Sequence, residues 1–84
     1  MKLTELPNIG EYGARQLESA GIRTAEELKA AGSFEAFKRI RKNDPGACLS
    51  LFSALEGAVL GVRWHELPPE VKKRLKSEYD NLKE

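Results

Sequence analysis

Between Ala47 and Val62 the chain carries one charged side chain, Glu56, while Leu49, Leu51, Phe52, Leu55, Val59 and Leu60 would fall on nearly every face of a helix. A helix apolar all round has to be surrounded, so this segment is expected to be the centre about which the other elements pack. It is shorter than the roughly 20 apolar residues of a membrane span, and Ser50, Ser53, Gly57 and Gly61 interrupt it. The reading is therefore a buried helix, with no membrane partner. A chain of 84 residues has room for a single domain, near the lower limit for a self-sufficient core.

No stretch alternates apolar and polar residues with a period of two, so the predicted fold is all-α: about five short helices around the central apolar one. The first should run from about Gly10 to Ala20, with Ala14 and Leu17 inward and Gly21 just past its end. Thr24 and Glu27 have the spacing of a capping box and open a helix over Ala25 to Ala31, stopped by Gly32. Ser33 is the predicted cap of the next helix, whose stripe of Phe34, Phe37 and Ile40 lies opposite the basic face Lys38, Arg39, Arg41 and Lys42. Asp44 and Pro45 read as cap and first residue of the central helix. Leu67-Pro68-Pro69-Glu70 opens a last helix to about Leu82, with Val71, Leu75, Tyr79 and Leu82 on one face and Lys72, Lys73, Lys76 and Asp80 on the wet one.

The net charge is +1, which supplies no global pull towards nucleic acid. Locally, Leu6-Pro7-Asn8-Ile9-Gly10 is a tight turn feeding a helix N-terminus, where free amides and the positive end of the helix dipole can receive a phosphate. The first ~30 residues are similar to half of a helix-hairpin-helix module, which grips a nucleic-acid backbone without reading bases. On that reading the amides of Ile9 and Gly10, with Lys2 and Arg15, are candidate phosphate contacts, and Lys38, Arg39, Arg41 and Lys42 are further ones. Asn8 stands where that turn usually has its first glycine, and Glu11 and Tyr12 occupy the helix start. A carboxylate there repels phosphate, so a purely structural turn is the competing reading.

Glu56 in an apolar helix needs a partner, because an unpaired buried carboxylate is costly. Arg63, Trp64 and His65, just beyond the helix end, are the expected partners in a polar lock or partner site. Trp64 is expected to wedge between the central and last helices, where truncation would cost ~3–5 kcal/mol. Gly57, Gly61, Ala54 and Ser50 form a narrow face that admits another backbone, within the chain or across a homodimer. No catalytic set is apparent: Cys48 and His65 lack an orienting third group, and Cys48 falls in the buried-looking helix. A lone His65 makes no metal site, and no cofactor is expected. The single cysteine and the lack of a secretory or transit pattern suggest a reducing cytoplasm.

Four blocks in order carry a family resemblance: Leu6 to Gly10, Ala20-Gly21-Ile22-x-Thr24-x-Glu26-Glu27-Leu28, Ala54 to Ala58, and Gly61-Val62-Arg63-Trp64-His65-x-Leu67-Pro68. Together they resemble the C-terminal domain of TfoX, the bacterial regulator of DNA-uptake competence, in its stand-alone form. The resemblance implies a helical domain in a regulatory context and brings no catalytic site, cofactor or defined ligand. The expected function is a non-enzymatic regulatory module with weak, sequence-independent nucleic-acid contact through residues 6–15. The alternative is a protein-interaction or oligomerisation domain meeting a regulatory protein.

Overall fold

The computed structural model describes residues 1–82. Five helices follow a 3₁₀ turn at Leu3–Glu5: α1 (Glu11–Ser19), α2 (Ala25–Ala31), α3 (Ser33–Asn43), α4 (Leu49–Leu60) and, after a second 3₁₀ turn at Trp64–Glu66, α5 (Pro69–Leu82). Among the described residues the only β-type pairing is one antiparallel bridge between Lys2 and Thr24. The fold is all-α.

Packing centres on a pair of helices. α3 lies against α1, α2 and α4, while α4 also meets α5 and the second 3₁₀ turn. At their crossing Phe37 and Phe52, both fully buried, stack with ring centroids 4.9 Å apart. This shares the central role expected of α4 alone. Leu60 is 52% exposed and Leu49, Leu51 and Val59 are only partly covered, so α4 is enclosed along one side. Phe34, expected in the buried stripe, sits at the rim; Ala36 takes the covered position beside Phe37 and Ile40.

Local signals act where they are contained within one turn. Thr24 Oγ1 accepts from the Glu27 amide at 3.1 Å and the Glu27 carboxylate accepts from the Thr24 amide at 3.2 Å, closing the capping box. The Met1 carbonyl accepts from the Ala25 amide at 3.0 Å, tying the first residues to α2.

Two helix starts differ from expectation. Ser33 is the first helical residue and is buried; Gly32, in a positive-φ conformation, is both the C-cap of α2 and the N-cap of α3. A bulkier residue would be strained at that corner, and the Ser33 hydroxyl is engaged elsewhere. α4 begins at Leu49, not Pro45. The Asp44 side chain accepts from the Gly46 amide at 3.1 Å and its carbonyl from the Ala47 amide at 3.0 Å, so a local Asx turn occupies the segment. Such turns compete directly with helix initiation.

Candidate functional site

The N-terminal hairpin is shaped by Asn8, whose φ of 69° is left-handed, a region Asn tolerates better than most residues. Its side chain turns inward. Nδ2 donates to the Val62 carbonyl at 2.9 Å and to the Ala54 carbonyl at 3.4 Å, and Oδ1 accepts from the Trp64 amide at 3.1 Å. α4 ends with Gly61 in the left-handed region while the Val62 amide reaches back to the Gly57 carbonyl at 2.9 Å, and this aims the Val62 carbonyl at Asn8. Gly57 makes room for the clasp. A Cβ there would lie 2.5 Å from Asn8 Nδ2 and 2.7 Å from the Val62 oxygen.

The clasp takes up the Asn8 side chain, while the start of α1 carries no side-chain cap. Ile9 is buried and its amide donates to the Leu6 carbonyl at 3.4 Å. Gly10 is the exposed N-cap of α1, Lys2 and Arg15 are exposed, and the Glu11 carboxylate stands in the first turn. Tyr12, 70% exposed, accepts through its hydroxyl from Gln16, which also donates to Asp44 at 2.9 Å.

On α3 the four cations divide. Arg39 pairs with Glu35 at 2.9 Å and Lys38 approaches the same carboxylate at 3.9 Å; the Arg39 hydrogen bond holds the Glu35 carboxyl below its ordinary value. Arg41 lies over the Tyr79 ring, 5.3 Å from its centroid, and its Nη1 is buried with no acceptor among the described residues. Lys38, Arg41, Lys42 and Leu82 line an open groove of about 250 Å³.

Glu56 is buried, 7% exposed, but its partners are not those expected. It accepts from the Ser33 hydroxyl and from Arg74 Nη2, the latter at 2.6 Å. Arg63, Trp64 and His65 lie past the Gly61 turn and are exposed. Consecutive helix positions are about 100° apart, so Gly57 meets the Trp64 backbone while Glu56 faces α3 and α5. The Trp64 indole is 47% exposed and meets the His65 ring edge-on at 5.7 Å, so it is no buried wedge.

Cys48 is the exposed N-cap of α4, not an interior residue. The Leu51 and Ser50 amides at the start of α4 pull its thiol below its ordinary value, against a smaller opposing effect of burial. The segment holding His65 folds back to meet α4 at Gly57, which at 1.5 Å per residue lies about 14 Å along the helix from Cys48. They form no dyad. Among the described residues no group of three or more His, Cys, Asp or Glu is placed to hold a metal ion, and no helix is long and apolar enough to cross a membrane.

Asn8, Ser33 and Arg74 are contacts the sequence reading missed. Gly57 was the available signal, since a mid-helix glycine costs ~1 kcal/mol relative to alanine and calls for a packing reason.

The sequence profile of the TfoX C-terminal domain matches residues 1–79. The chain belongs to that family. The matched span takes in the whole clasp, from Asn8 through Gly57 to Trp64. This TfoX C-terminal domain is also similar to the crystal structure of an uncharacterized protein from Listeria monocytogenes in a triclinic form, at 49% identity and a TM-score of 0.97, covering 99% of this chain and 94% of that one. A tetragonal form of a Listeria monocytogenes protein of unknown function is 51% identical with a TM-score of 0.93, covering 95% and 98%. None of the curated proteins matches.

Proposed function

We propose that this TfoX C-terminal domain is a non-enzymatic regulatory module that works by protein–protein contact, with a structural N-terminal hairpin. The observation that carries this reading is the inward turn of Asn8: its amide is spent on Ala54, Val62 and Trp64. The Ile9 amide is likewise bonded within the turn, and Glu11 opposes a phosphate at the start of α1. The family supplies the regulatory setting, which we place in the bacterial cytoplasm, in control of competence or transcription. The partner is a regulatory protein; a second copy of the chain is the competing occupant.

The test is a titration with a random DNA duplex at low and rising salt, followed by amide chemical shifts. Protein-contact function predicts no duplex binding even at low salt. Binding that weakens steeply with salt and shifts residues 7 to 15, with the amides of Ile9 and Gly10 beside Lys2 and Arg15, would establish the nucleic-acid reading instead. Sedimentation across a range of concentrations separates a self-association surface from one for another protein.

A further inference from the structure

We propose that the groove between α3 and α5 seats an acidic segment of the partner protein, one that sets a carboxylate beside a large apolar side chain. This rests on the protein-contact reading and names where that contact is made.

The groove has two chemically different sides. Lys38, Arg41 and Lys42 supply cations from the C-terminal half of α3, and Leu82 supplies an apolar wall at the end of α5. Arg41 is held in place, its guanidinium over the Tyr79 ring and its Nη1 buried without an acceptor among the described residues. Arg41 also lines the groove, and a carboxylate matches the guanidinium fork in geometry and charge. Among the described residues Glu35 pairs with Arg39, Glu78 with Arg74 and Asp80 with Lys76, while Asp44 accepts from Gln16 and closes its own Asx turn.

Cations in the last turn of a helix also complement its dipole, and that alone would explain Lys42. It does not explain a guanidinium set over an aromatic ring at the groove, nor an apolar wall beside it. The volume of about 250 Å³ lies below the usual range of cofactor pockets and suits one or two side chains. A single-stranded nucleic acid would call for aromatic faces open to stacking, whereas the Tyr79 face is covered by Arg41. A peptide fits both sides at once.

The probe is a fluorescein-labelled six-residue peptide alternating Glu and Leu, titrated into the ¹⁵N-labelled chain beside versions with Gln for Glu and Ser for Leu, and beside a random DNA duplex. The proposal expects shifts at the amides of residues 38–42 and 82, and binding at least tenfold weaker for either altered peptide. Arg41→Gln and, as an exposed change that leaves the Tyr79 contact intact, Lys42→Gln should each weaken the parent peptide several-fold. No shift at residues 38–42 overturns the groove. If the peptide instead moves residues around Trp64, the protein-contact reading stands without it. Loss of Leu without effect would also overturn it, leaving only a charge contact. Duplex binding at residues 7 to 15 removes the underlying reading, and duplex binding in the groove removes both.

Discussion

Asn8 Nδ2 stands 2.9 Å from the Val62 carbonyl oxygen, joining residues 54 positions apart. The same side chain accepts from the Trp64 amide, so neither end of the amide can be replaced without loss. Asn8→Ala removes these bonds and puts a residue that tolerates a left-handed φ less well than Asn at that position, and is expected to cost about 2–4 kcal/mol. Asn8→Gly should cost less, because it relieves the backbone. Asn8→Asp should cost more than Gly, since it sets an oxygen against two carbonyls. Urea unfolding midpoints check the order.

Gly57→Ala opposes two effects of known sign. Alanine favours a helix by about 1 kcal/mol over glycine, but its Cβ would meet Asn8 Nδ2 and the Val62 oxygen well inside normal contact. Overpacking against backbone typically costs about 1–3 kcal/mol, so a net loss is expected. A double-mutant cycle with Asn8→Ala should show coupling: the Asn8 clash goes and the Val62 clash stays.

Glu56 joins the start of α3 to α5 through Ser33 and Arg74. Ser33→Ala should cost about 1–3 kcal/mol by leaving a buried carboxylate short of a donor. Arg74 is about half exposed, so Arg74→Gln should cost no more than about 1 kcal/mol and less still in high salt. Thermal melts of both variants at low and high salt test the contrast.

Trp64→Ala is expected to lower stability by about 1 kcal/mol or less, because the indole is half exposed and the backbone bond to Asn8 survives. As the single tryptophan of the chain, Trp64 should also be readily quenched by acrylamide in the folded protein. A loss of several kcal/mol, or strong shielding, would restore the wedge.

Cys48 should react with iodoacetamide at a lower pH than an unstructured cysteine, since the Leu51 and Ser50 amides favour its thiolate. A folded pKa below the unfolded one contributes stability that is present above the unfolded pKa and is lost as pH falls through the folded pKa. Alkylation rates against pH, folded and in urea, give the direction.

What could be read in the sequence was local. The Thr24–Glu27 box and the spacing of Val71, Leu75, Tyr79 and Leu82 each close within a turn or two, so residue order is enough to place them. The start of α4 was misplaced because Asp44 could equally cap a helix or fold an Asx turn, and Gly46 tips the choice towards the turn. The partners of Glu56 depend on how α3 and α5 cross α4, which no local spacing encodes. Asn8 was legible as a left-handed residue, but its inward side chain depends on where Gly61 sends the chain. The loss of the expected lock at Arg63 to His65 has the same origin.

Every partner of the Asn8 side chain lies between Ala54 and Trp64. On a ribosome adding roughly 5–20 residues each second, Asn8 is therefore made several seconds before any of these partners. During that interval the first residues can be held to α2 through the Met1 carbonyl and the Ala25 amide, with the Asn8 side chain still unclasped. A residue among the first to be synthesised is thus secured only when most of the chain has followed it.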